Sequence, residues 1–216
     1  MKTLLTIILS TFILTGGSMS AKATETAAYQ TVKSVPEQKI EIRKYDPVML
    51  VETPMAGDER NGAFRRLFAY ISGENVKQSD IEMTAPVLMD DEKPESQKIP
   101  MTTPVFMDDA PKDAEEEGTQ AMMSFVLPSQ YTMDTAPIPT DTNVKLRELK
   151  DYNVAAIRFN GTLGDTNVQK HKDILVKWLN DNNYKVTGEY KKAGYNAPFT
   201  LPWMRRNEVL IPIDLR

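Results

Sequence analysis

Most of the chain alternates apolar and polar residues with a period of two, the pattern of a strand with one buried face. "KIEIRKY" (39–45), "VMLVET" (48–53), "MMSFVLP" (122–128), "VKLREL" (144–149), "VAAIRFNG" (154–161) and "VLIPI" (209–213) all read this way. Two segments change period. In "GDERNGAFRRLFAYISG" Phe64, Leu67, Phe68 and Ile71 recur at helical spacing, with Asp58 near the start and Gly73 as the stop. In "GDTNVQKHKDILVKWLNDNN" the stripe is Val168, Ile174, Leu175, Trp178 and Leu179, opened by Asp165 or Thr166.

The order of these elements repeats. "IEIRKYDPVMLVET" followed by a helix parallels "VKLRELKDYNVAAIRF" followed by a helix. Each half reads strand, strand, helix, strand, strand. The pattern predicts an α+β fold in which a ββαββ unit is duplicated about a pseudo-twofold axis. Two helices then pack on antiparallel strands that curl into one distorted, barrel-like sheet.

A second repetition is local. "IEMTAPVLM" (81–89) returns eighteen residues later as "IPMTTPVFM" (99–107), with six of nine positions identical. Both copies alternate apolar residues on one face, and both carry a proline, which cannot donate to a sheet ladder. Each copy therefore reads as an edge or bulged strand, the two forming a hairpin that opens at one level. Such an opening serves either as a guard against edge pairing or as the lip of an apolar pocket. On the second reading Met83, Val87, Met101 and Val105 form an adaptable wall.

The N-terminus changes the picture. Lys2, the apolar run "LLTIILSTFIL" and the small residues of "AKA" (21–23) have the three parts of a secretory signal peptide. The run is too short for the roughly 20 residues that span a bilayer. Residues 1–23 are expected to be removed, leaving 24–216 as one domain in the periplasm or outside the cell. Without Lys2 and Lys22 the net charge goes from −4 to −6, most of it in the acidic loop 108–120, and no basic stripe invites nucleic acid. With no cysteine, disulfides, thiolate chemistry and covalent haem attachment are excluded.

Catalytic patterns are scarce: there is one histidine, and no nucleophile elbow, phosphate loop or dinucleotide glycine pattern. His171 lies in the middle of the second helix's apolar stripe. It reads as a core histidine bonded to a backbone carbonyl, or as an axial iron ligand facing an apolar cavity. Arg65 and Arg66 flank the first helix's stripe, either as a solvated edge or as the cationic pair that a planar apolar acid such as haem requires. In "FTLPWMRRNEV" (199–209), Trp203 sits where it could close over a ligand, and an Arg–Glu tie would fix its loop.

"YQTVKSVPEQKIEIRKY" (29–45), "AFRRLFAYISGEN" (63–75), the doubled I-x-M-T-x-P-V and "RRNEV" (205–209) together resemble the SOUL haem-binding family. The resemblance runs from Tyr29 to about Ile213. It implies a distorted barrel of two similar halves and noncovalent binding of haem or another tetrapyrrole at an apolar surface beside the first helix, without catalysis. The expectation is an exported, monomeric haem-binding domain with candidate contacts Phe64, Arg65, Arg66, Phe68, Met83, Val87, Met101, Val105 and Trp203, and His171 as candidate metal ligand. The alternative is an envelope protein–protein interaction or stress module with no tetrapyrrole.

Overall fold

The computed structural model describes residues 24–55, 60–78, 95–109 and 120–215. In chain order the elements are β1 (Tyr29–Val35), β2 (Ile40–Tyr45), β3 (Val48–Pro54), α1 (Arg60–Ser72), β4 (Asn75–Val76), β5 (Val105–Asp108) and β6 (Met122–Val126). There follow β7 (Ile138–Pro139), β8 (Lys145–Leu149), β9 (Asn153–Phe159), α2 (Asp165–Asp181), β10 (Lys191–Gly194) and β11 (Asn207–Pro212). Nine strands form one antiparallel sheet in the order β1-β2-β9-β11-β10-β5-β6-β3-β8. The short β4 and β7 pair separately.

Set β1 aside and exchange β2 with β8, β3 with β9, β5 with β10, and β6 with β11. The strand order then reads the same from either end. The helices obey the same exchange, since α1 packs on β3 and β6 while α2 packs on β9 and β11. The expected duplicated ββαββ architecture and its barrel-like curl are both present.

Three apolar clusters hold the layers together. Beneath α1, Ala63, Leu67, Tyr70 and Ile71 meet Met49, Val51, Met123 and Phe125. Beneath α2, Val168, Leu175, Trp178 and Leu179 meet Ile40, Ile42, Ile157 and Val209. The opposite, inner face of the sheet buries Tyr45, Leu50, Phe106, Val126, Val154, Ala156 and Leu210. Both faces of the central strands are thus covered, and the alternation along "KIEIRKY" does not separate core from water. Arg43, on the polar side of that alternation, is buried.

Two details depart from expectation. The second copy of the doubled motif is not strand throughout: residues 99–104 run irregularly, with a cis peptide bond between Thr103 and Pro104, and pairing in β5 begins at Val105. β5 is moreover an interior strand, between β10 and β6. Pro104 stands just before the ladder, where its missing N–H costs no strand bond. The first copy, with Met83 and Val87, lies outside the described residues, as do the signal segment and most of the acidic loop.

Candidate functional site

The candidate site is built on α1. Its 13 residues bury Ala63, Leu67, Tyr70 and Ile71. Tyr70 is long enough to pack its ring inside and still donate its hydroxyl to the Pro137 carbonyl at 2.8 Å. The buried face is therefore turned from the expected stripe, and Phe68 is left 49% exposed. Phe64, one turn earlier, stacks against Phe68 with ring centroids 6.0 Å apart and meets Phe125 edge-on at 5.2 Å. Phe64 and Phe68 form an aromatic ladder leading from core to solvent.

The segment after α1 completes a groove. Gly73 ends the helix at φ +121°, a left-handed conformation that suits glycine. Asn75 then fastens the returning chain: its amide nitrogen donates to the Tyr70 carbonyl at 2.6 Å and to the Gln97 carbonyl at 2.8 Å, and its amide oxygen accepts from the Gln97 N–H at 2.9 Å. The Ile99 N–H donates to the Ile71 carbonyl at 2.8 Å. Between helix and segment lies a cavity of about 320 Å³ lined by Phe68, Ile71, Ser72, Lys98, Ile99 and Met101. Met101 is 39% exposed. The groove thus offers aromatic, aliphatic and thioether surface with a lysine at its rim.

The other expected site residues fall into three groups. Arg65 is exposed on α1, one turn before Phe68, whereas Arg66 is spent on structure. The Arg66 guanidinium donates to the Thr53 hydroxyl at 3.0 Å and to the Pro54 carbonyl at 2.6 Å. Val105 packs into the cluster beneath α1 and does not line the groove. Trp203, 68% exposed, belongs to the other half of the molecule. Its carbonyl and that of Arg205 accept from the Asn160 amide at 3.0 Å, on the turn into α2.

His171 also lies on that half, half-buried, its ring stacked on Phe159 with centroids 4.2 Å apart. Nδ1 is 2.7 Å from the carbonyl oxygen of Asn167, one turn earlier. Its cavity, shared with Lys39, Arg158, Phe159 and Ile174, has no residue in common with the α1 groove. Among the described residues no group of three or more His, Asp or Glu is placed to hold a metal.

Sequence reasoning missed Lys98, Ile99 and the Asn75 fastening. Lys98 and Asn75 carry no periodic signal, and Ile99 has the alternation of a strand. It anticipated an Arg–Glu tie at the last strand but not its extent. Glu208 is 0% exposed. Its Oε2 accepts from Arg43 Nη1 at 2.6 Å and the Tyr195 hydroxyl at 2.7 Å, and its Oε1 from Arg43 Nη2 at 3.0 Å. Arg206 Nε and Nη2 add bonds to Oε1 at 3.0 and 2.8 Å. Burial alone would raise this carboxyl's pKa, but the bonds and charge of Arg43, then Arg206 and Tyr195, hold it below the ordinary value.

Comparison with known proteins agrees with this architecture. The family model described as "SOUL heme-binding protein" matches residues 24–95 and 89–212. Heme-binding protein 2 of Homo sapiens is 28% identical over 198 residues, covering 88% of this chain and 86% of its own. Heme-binding protein 1 of Xenopus tropicalis is 28% identical over 175 residues, covering 78% and 80%. Among solved structures, an uncharacterized conserved protein from Listeria innocua superposes with a TM-score of 0.53 at 12% identity, over 82% of this chain and 93% of that one. A hydrolase from the same organism gives 0.52 at 11%, over 82% and 92%, and at such identities the fold alone is shared. With a duplicated barrel, a helix-borne apolar groove and a family match across residues 24–212, the chain belongs to the SOUL heme-binding protein family.

Proposed function

We propose that this protein binds haem or a related tetrapyrrole noncovalently in the α1 groove, without catalysis, after export from the cytoplasm. The observation that carries the reading is the exposed Phe68–Met101 surface fastened beside α1. A haem face requires broad apolar contact, and its propionates require cations at the edge. Phe68, Ile71, Ile99 and Met101 suit the first need. Lys98, at the rim, and Arg65, one turn before Phe68, suit the second. The groove therefore fits the group the family is named for. Bound haem would supply its planar apolar face and its iron. The chain's part is to cover one face, hold the carboxylates and exclude water from the covered side.

The thioether of Met101 is the soft donor on the groove's wall; the imidazole of His171 lies elsewhere. Titrating residues 24–216 with haem should give a saturable absorbance change. Phe68→Asp and Met101→Asp should each weaken it at least tenfold while the protein stays folded, because both side chains are substantially exposed. Arg65→Glu should weaken it less, and His171→Ala should leave the spectrum unchanged. Unaltered affinity in folded Phe68→Asp and Met101→Asp would refute the groove. Absence of saturable binding would favour the protein-interaction alternative.

A further inference from the structure

We infer that a second cavity, on the half of the molecule opposite the α1 groove, binds a compact organic anion carrying two negative charges. This cavity, of about 290 Å³, lies where β1, β2 and β9 meet and is lined by Tyr29, Lys39, Glu41, Arg43, Arg158 and Arg206, among others. Four cationic side chains thus face one carboxylate on its wall, with Glu208 beneath.

Charge is not balanced there. Glu208 stands directly across the sheet from Arg158, on the same face of neighbouring strands. Its two oxygens, however, already accept five hydrogen bonds from Arg43, Arg206 and Tyr195. Glu41 is taken by Arg43 Nε at 2.7 Å. Arg43 and Arg206 are therefore matched by Glu41 and Glu208, which leaves Lys39 and Arg158. Neither makes an ion pair with a described residue. Within this cavity's own lining the surplus is two positive charges, with Glu37 on the adjoining cavity that Lys39 and Arg158 also line.

The backbones that carry these two cations are held in place. Lys39 ends the 3-10 turn Pro36–Gln38 at φ +55°, a conformation that lysine seldom takes, and its N–H donates to the Pro36 carbonyl at 3.1 Å. The Lys39 carbonyl in turn accepts from the Arg158 N–H at 3.0 Å, which locks the two positions together. At the base, the Arg43 guanidinium is only 3% exposed and packs 4.4 Å from the centre of the Tyr29 ring. Arg43, its donors already taken by Glu41 and Glu208, adds only its charge beneath the site, while Lys39 supplies a point charge and Arg158 a planar fork, both exposed and without an ion-pair partner among the described residues. The hydroxyls of Tyr29 and Ser34 supply neutral partners.

The test is a titration of ¹⁵N-labelled protein, residues 24–216, with inorganic phosphate in one arm and succinate in another, at constant ionic strength set with chloride. Saturable shifts of the Lys39 and Arg158 amides are expected in at least one arm, and the stronger arm identifies the ligand's head group. Lys39→Gly removes the charge without opposing the left-handed backbone, and Arg158→Gln removes the other. Each should weaken binding at least tenfold, whereas Arg158→Lys should retain most of it. Non-saturating shifts, or saturation indifferent to these substitutions, would mean an adventitious ion only and overturn the proposal. The cavity shares no residue with the α1 groove, so haem affinity should be unchanged in both variants and its failure would be separately visible.

Discussion

Glu208 and Arg43 occupy a place where single residues decide much. Both are buried, so neither can lose its partner to water cheaply. Removing one member of a buried pair typically costs about 3–5 kcal/mol, because the other charge is left uncompensated. Glu208→Gln keeps the shape and removes the charge. The folded-state pKa of Glu208 lies below the ordinary 4.5, so its stabilising effect is complete above that value and is lost as pH falls through the folded value. Urea unfolding at a series of pH values should show wild-type stability declining below about pH 4.5, with the variant weaker at neutral pH and flatter on the acid side. A variant whose acid limb runs parallel to wild type would mean that Glu208 does not govern that limb. The Arg–Glu tie within "RRNEV" was legible because the two residues are sequence neighbours. Arg43 was not, because it comes from 165 residues away and occupies the polar phase of its strand.

At the scale of elements, α1 shows what hydrophobic periodicity conveys and what it omits. The helix and its Gly73 stop are where the 3.6-residue period puts them. Its rotation about its own axis was less legible, since Phe68 and Tyr70 are both candidates for burial and only the Pro137 carbonyl, distant in sequence, settles the choice. β1 and β10 left little trace for a similar reason. β1 is an edge strand exposed along most of its length, and "KKAG" of β10 has no apolar alternation to read. The groove depends on a polar residue with no periodic signature, Asn75. Asn75→Ala would leave two carbonyls and one N–H near the end of α1 without their partner, at about 1–3 kcal/mol for each group that stays buried. Hydrogen exchange should quicken at the Gln97 and Ile99 amides and stay unchanged in α2, with haem affinity falling in step. Protection that is undisturbed at Ile99 would show that its bond to the Ile71 carbonyl holds the segment without Asn75.

Across the whole molecule the sequence carries two repetitions, and the sheet reproduces the deeper one. The doubled I-x-M-T-x-P-V is the more obvious in sequence, yet its second copy enters the sheet only at Val105 and pairs with β10 and β6. The deeper repetition is almost silent residue by residue and was legible through the order of elements, which the palindromic sheet reproduces. Packing constrains each position to be apolar or polar more than to be a particular residue, so order outlasts identity. The same scale bears on export. Residues just after "AKA" are tied into the fold: the Thr103 N–H donates to the Glu25 carbonyl at 2.9 Å, the Ala27 N–H to the Thr103 carbonyl at 2.9 Å, and the Ser129 N–H to Glu25 Oε1 at 2.8 Å. The family match likewise starts at residue 24. A signal peptidase cutting after Ala23 would release a chain with all of these contacts intact, whereas a cut a few residues later would remove them. Intact-mass measurement of the protein from the cell envelope should therefore give a chain starting at or near Thr24. A mass retaining Met1 in that fraction, or the full chain confined to the cytoplasm, would defeat the export proposal while leaving the haem groove to stand or fall by its own titration.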